Sequence, residues 1–132
     1  MAGKFNLKTK AKWLSLDWGD LTWLSGPRAT RAKRLVVMEV RLAPGGFHNF
    51  HRHPRQEEVI YVLDGRVEQW LERKRRALKA GDSVFIPRNT VHATFNTAKR
   101  GARCLAVLGP SIGKGGYELV DVSRRKPWKS LR

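Results

Sequence analysis

The chain has 132 residues, 27 of them Lys or Arg and 11 Asp or Glu, for a formal charge of +16. That length suits one domain with a core of its own, and a hydrophobic fraction of 41% argues against a wholly disordered chain. A single cysteine, Cys104, excludes an intrachain disulfide and a thiolate-built structural zinc site.

The excess charge is spread along the chain. Residues 1–44 carry 9 basic and 3 acidic groups, residues 45–109 carry 12 and 6, and residues 110–132 carry 6 and 2, giving +6, +6 and +4. A detachable basic tail is therefore excluded, while nucleic acid, an anionic membrane and an acidic substrate stay open as partners. The first ten residues hold no apolar h-region of a secretory signal. No run approaches the roughly 18 apolar residues of a membrane-spanning helix. The expectation is a soluble cytoplasmic protein without a membrane partner, which also suits a free thiol.

In chain order, residues 1–12 are polar and basic and read as a loose arm. Alternation at Leu14, Leu16 and Trp18 predicts a short strand, and Gly19-Asp20 a turn into a second one. Residues 26–33 are loop-like. From Leu35 to Leu42 the pattern has period two, with Val36, Met38, Val40 and Leu42 on one face and Val37, Glu39 and Arg41 on the other. Pro44-Gly45-Gly46 ends that strand. Glu58 to Leu63 predicts another, and Asp64-Gly65 predicts a hairpin from which Arg66 to Glu72 pairs back. The run Arg73-Lys74-Arg75-Arg76 fits the tip of the next hairpin. Ser83 to Ile86, Val91 to Asn96, Arg103 to Leu108 and Tyr117 to Val122 complete the set. Many short strands between Gly, Pro and Asn turns, with no helical period, predict an all-β fold: a barrel or double-sheet jelly roll.

Four residues stand out for chemistry: His51, His53, Glu58 and His92. Positions i and i+2 of a strand share a face, so His51 and His53 can reach one point. Glu58 and His92 lie on other predicted strands, as a barrel interior allows. Imidazole and carboxylate ligands suit Zn, Mn, Fe, Ni or Co. Four protein ligands on an ion that takes five or six leave open positions for water, dioxygen or a substrate oxygen.

At these residues the chain resembles the cupin superfamily. The resemblance is carried by Gly45, His51-Arg52-His53, Glu58 and Gly65, and then by Gly81, Pro87-Arg88-Asn89, His92 and Asn96, at matching spacings. One departure is Asn89, where the family pattern has glycine; Asn tolerates positive φ better than other side chains do. The resemblance implies a double-stranded β-helix forming a single cupin domain over residues 1–132. Its core motifs occupy about 34–123, with an N-terminal arm at 1–33 and a basic tail at 124–132. It also implies one divalent transition metal ion on His51, His53, Glu58 and His92.

Strand parity sends Glu57 to the face opposite Glu58 and sets His48 opposite Asn49, His51 and His53, which makes His48 a surface or loop-entry residue. The same parity nominates Asn49, Ile60, Val62 and Thr94 as pocket lining, with Phe47 and Phe85 as apolar additions. Gln69 and Trp70 are neighbours of which one must face inward. Cys104 reads as a buried, inert thiol, and Asn96 as a structural hydrogen-bonding residue. The run at 73–76 reads as solvated, and so does Arg124 to Lys129, whose Trp128 packs on the body or on a partner.

The resemblance favours a small metal-dependent enzyme of dioxygenase, decarboxylase, isomerase or lyase type. Its substrate is expected to be small and oxygen-rich, with a bias toward anions. The alternative is a module that binds or senses a small molecule without chemistry. Nucleic-acid association ranks last, because the basic runs lack interleaved aromatics. Members of the family are often dimers, so a homodimer is expected, with the Trp-rich 13–24 segment free to cover a sheet.

Overall fold

The computed structural model describes residues 2–132. Eleven strands form two antiparallel sheets. They are β1 (Leu14–Ser15), β2 (Asp20–Ser25), β3 (Val36–Leu42), β4 (Phe47–Arg52), β5 (Glu57–Asp64), β6 (Arg66–Leu71), β7 (Lys74–Lys79), β8 (Ser83–Ile86), β9 (His92–Phe95), β10 (Ala102–Gly109) and β11 (Val120–Asp121). The first sheet runs β1-β2-β3-β10-β5-β8 and the second β11-β4-β9-β6-β7. The architecture is the predicted all-β double-stranded β-helix. Among the described residues no helix is long and apolar enough to cross a membrane.

The period-two pattern sets which side chains enter the barrel. In the first sheet Val36, Met38 and Leu42 of β3, Ile60 and Val62 of β5, and Cys104, Ala106 and Leu108 of β10 are buried. Each fully buried Val, Leu or Ile stabilises by about 1.5–3 kcal/mol. In the second sheet Val67, Gln69, His92 and Thr94 turn inward. Its outer face has a small core of its own, made by Phe50, Trp70, Val91, Ala93, Phe95 and Val122. The C-terminal tail covers that core. Trp128, in a 3₁₀ turn at Trp128–Ser130, packs 5.6 Å from Phe50 between ring centres, and Leu131 joins it.

Three sequence expectations need correction. Asp64-Gly65 does not close a hairpin: β5 pairs with β10 and β8, whereas β6 pairs with β7 and β9. The chain instead crosses from one sheet to the other there. Gly65 has φ +79, and a Cβ on it would sit 2.6 Å from the Gly101 carbonyl oxygen, so the corner requires glycine. The basic run at 73–76 meets the hairpin tip only at Arg73. The turn falls at Glu72-Arg73, and Lys74 to Arg76 begin the edge strand β7, a place where Lys and Arg deter edge-to-edge pairing. Of the strand expected over 117–122 only Val120–Asp121 forms. The Glu118 backbone and side chain are engaged elsewhere, by His53 and Arg55.

Candidate metal centre

His51 lies near the end of β4, directly opposite His92, the first residue of β9. His53 follows β4, and Glu58 is the second residue of β5 on the facing sheet. All four are buried. One ligand atom from each of His51, His53 and His92 lies within 4.8 Å of the others, so these three residues could hold a metal ion.

The outer hydrogen bonds fix the rings. The Nδ1 of His51 meets the Asn49 carbonyl at 2.6 Å, that of His53 the Glu118 carbonyl at 2.7 Å, and that of His92 the Thr90 carbonyl at 3.0 Å. A carbonyl can only accept, so each Nδ1 carries the proton and each Nε2 is left as a lone pair. Glu58 Oε1 then lies 3.3 Å from His53 Nε2 and 3.0 Å from His92 Nε2. Lone pair faces lone pair at those distances, a repulsive arrangement unless a proton or a metal cation sits between. Glu58 Oε1 and His92 Nε2 are indeed buried without a hydrogen bond among the described residues. The donor set fits a borderline cation.

The protonation tendencies have the same origin. Burial raises the Glu58 pKa, but His53 and His92 more than offset this and hold it at about 2. Burial drives His51 well below the usual imidazole range, helped by its neighbouring histidines. Burial also acts to lower His53, but Glu58 outweighs it and the net shift is upward.

The cluster opens on an interior cavity of about 50 Å³, enough for a few water-sized groups. Its wall is made by Trp18, Leu21, Met38, Val40, Leu42, Ile60, Thr94, Cys104, Ala106, Leu108 and Tyr117, with His48 beside the cluster. Of the residues nominated as lining, Ile60 and Thr94 are on this wall. Val62 is fully buried in the adjoining core. Asn49 faces the outer side, in a groove with Phe47 and Phe95.

His48 is the converse correction, since it points in. The β4–β9 register shifts between His48 and His51, so three residues of β4 oppose two of β9. This extra residue flips the parity. His48 therefore stacks on His51 at 3.8 Å between ring centres and on Trp18 at 4.1 Å. Burial depresses its pKa to about 3, so it is neutral. Phe47 and Phe85 do not line the cavity: Phe47 stacks on Phe95, and Phe85 faces outward beside the inward Ile86.

The remaining nominated residues sort plainly. Gln69 faces inward and accepts a hydrogen bond from the Thr94 hydroxyl, and Trp70 faces the outer core. Glu57 is exposed. Burial pushes the Cys104 thiol up to about 11, which suits an unreactive group. Asn96 donates to the Leu42, Ala43 and Arg100 carbonyls, tying down the turn after β9. Asn89 adopts φ 64 and accepts from Arg52. Trp18 and Tyr117 were missed as wall residues. Trp18 had a signal, an aromatic in an apolar segment outside the motifs, whereas Tyr117 sits in a loop with no period to read.

Known proteins share this frame. KdgF from Halomonas sp. superposes with a TM-score of 0.74 at 21% identity, over 83% of this chain and 94% of that one. A recombinant oxalate oxidase in complex with glycolate gives 0.69 at 26% identity, over 89% of this chain and 63% of that one. The Polyketide synthase CurC of Streptomyces cyaneus is 31% identical over 103 residues, 78% of this chain and 67% of that protein. A germin-like protein of Oryza sativa is 29% identical over 83 residues, and there the chain spans only 36% of its relative. A cupin-domain family model matches residues 38–108, more than half the chain and the whole stretch from His51 to His92; the chain belongs to the cupin family.

Proposed function

We propose that the protein is a small metal-dependent enzyme acting on a small, oxygen-rich anion. The observation that carries this reading is the set of three Nδ1-anchored imidazoles whose Nε2 atoms converge, with Glu58, at the edge of a mainly apolar cavity. His51, His53, His92 and Glu58 would hold one divalent transition ion. Such an ion supplies Lewis acidity toward a ligand oxygen and lowers the pKa of bound water.

The chain's own residues do the rest. The three backbone carbonyls orient the imidazoles. Glu58 supplies the one negative charge facing the site. Met38, Val40, Ile60 and Ala106 exclude water and strengthen electrostatics at the bound oxygen atoms. His48, neutral beside His51, offers a ring nitrogen to the ligand. Tyr117, whose pKa is raised by burial and by Glu58, keeps its phenolic proton at Oη. An anionic substrate is supported by the +16 charge and by the glycolate complex of the oxalate oxidase relative.

The test is metal uptake. Purified chain reconstituted with cobalt, manganese or zinc is expected to hold one ion per chain, and His92→Ala to lose at least the roughly 10–100-fold in affinity typical of weaker, outer-shell changes. No metal in the purified protein, and none taken up on reconstitution, would refute the assignment. A second reading, ligand binding without chemistry, is favoured by one feature: among the described residues lining the cavity Glu58 is the only Asp, Glu, Lys or Arg. Prolonged incubation of the metal-loaded chain with oxalate or glycolate, giving binding but no product, would select it.

A further inference from the structure

The basic tail, residues 124–132, carries one aromatic in sequence, Trp128, and the fold sets others beside it. A groove of about 600 Å³ lies on the outer face of the second sheet. Phe47 and Asn49 of β4 and Phe95 of β9 line it from the sheet, and Arg124, Lys129 and Arg132 line it from the tail. The tail is held in place by its own contacts. Trp128 packs on Phe50, Arg132 Nε donates to Glu68 at 2.6 Å, and the Arg132 guanidinium lies 4.4 Å over the Phe95 ring. Folded structure therefore fixes these cations beside exposed aromatic surface.

We propose that this groove binds single-stranded nucleic acid. Such sites combine cations for the phosphates with aromatic faces on which unpaired bases stack. Phe47 stacks on Phe95 at 5.4 Å between ring centres yet stays 44% exposed, so part of its ring is open to a base. Asn49 uses its side-chain oxygen to accept from the Phe50 N–H at 2.8 Å. Its amide NH₂ has no partner among the described residues and is left to donate to a base edge. Arg124 and Lys129 make no ion pair among the described residues, and no Asp or Glu is among those lining the groove. The Asp121 carboxylate is taken up by the Ser123 N–H and hydroxyl, both at 2.7 Å.

The cations continue past the groove, which favours a strand over a free nucleotide. A second groove of about 230 Å³ shares Thr97 with the first and is lined by Arg66, Arg75 and Arg76. Its one acid, Glu68, is engaged by Arg75, Arg132 and the Trp70 indole. Arg66 and Arg76 make no ion pair among the described residues and can meet further phosphates. A duplex keeps its base faces stacked on one another and cannot use Phe47. Anchoring in a membrane calls for protruding apolar side chains, whereas Phe95 is buried and Trp128 lies against Phe50.

Fluorescence anisotropy of a labelled oligothymidylate of about 12 nucleotides with the full chain is the test. Binding is expected to be tighter than to a duplex of the same length and to weaken as salt rises. Phe47→Ala should weaken it about fivefold or more with the salt slope unchanged. Arg124→Ala and Lys129→Ala should each lower that slope by about 0.7. Lys114→Ala removes an equal charge on another surface and should change neither affinity nor slope. That control separates a built site from the attraction that any chain of +16 exerts on a polyanion. None of these side chains lines the cavity, so metal content should stay unchanged, and failure here leaves the metal assignment standing. Should Phe47→Ala fail to fold, ultraviolet crosslinking of a bromouracil-substituted strand to the unmodified chain decides, with crosslinks expected at Phe47 or Trp128. Equal affinity for the duplex, a loss on Lys114→Ala as large as on Lys129→Ala, crosslinks confined to other residues, or binding only to phosphatidylserine vesicles would overturn the proposal.

Discussion

At the scale of single residues, the site depends on two backbone devices. The bulge in β4 inserts one residue between His48 and His51, which turns His48 into the cavity and Asn49 out of it. The corner at Gly65 depends on a backbone that no side chain tolerates. Gly65→Ala brings Cβ against the Gly101 carbonyl and Ala102 at a φ of +79. It is expected to destabilise by about 1–3 kcal/mol, read as a lower denaturant midpoint. Asn89→Gly is the contrasting case. It restores the usual residue at φ 64 but loses the bond from Arg52. The two effects oppose, and the expected change is within about 1 kcal/mol. A large loss in Asn89→Gly would show that the bond from Arg52 outweighs the relief of positive φ at that position. The ligand-type residues were legible because their spacing is linear in sequence. The wall was not, because strict period-two counting fails at a bulge and the sequence carries no mark of one.

At the scale of strands, β3 and β10 were legible from alternation alone, and their pairing is held on the outer face by Glu39 and Arg103. The Glu39 carboxyl is held below its ordinary 4.5 chiefly by the hydrogen bond from Arg103, with burial opposing and Arg41 assisting. The folded state therefore binds fewer protons than the unfolded chain just below pH 4.5. The stabilisation is complete above 4.5 and is lost as pH falls through the lower folded value. Denaturant midpoints measured from about pH 6 to pH 3 should fall on the acid side, and Glu39→Gln should flatten part of that fall. An acid limb of unchanged slope in the variant would assign the pH dependence to other carboxylates. What sequence could not supply at this scale was partner choice. Asp64-Gly65 is a hairpin signal locally, yet β6 joins the other sheet, where it pairs with β7 and β9 and not with β5.

At the scale of the whole molecule, the +16 charge and the apolar cavity have to be reconciled. No Lys or Arg is among the described residues lining the cavity, so the excess cations cannot bind a ligand there by contact. They can act only through the field they set up outside the barrel, which gathers anions and is screened by salt over about 10 Å at 0.1 M and about 3 Å at 1 M. The contribution should therefore lie in the rate of encounter, and the bound state should be governed by the site itself. For oxalate and the metal-loaded chain, stopped-flow association is expected to slow about tenfold or more between low salt and about 1 M. Dissociation should change little. A neutral ligand of similar size should show neither effect. An association rate for oxalate that ignores ionic strength would remove the charge from the binding reaction altogether, leaving it a property of the surface alone.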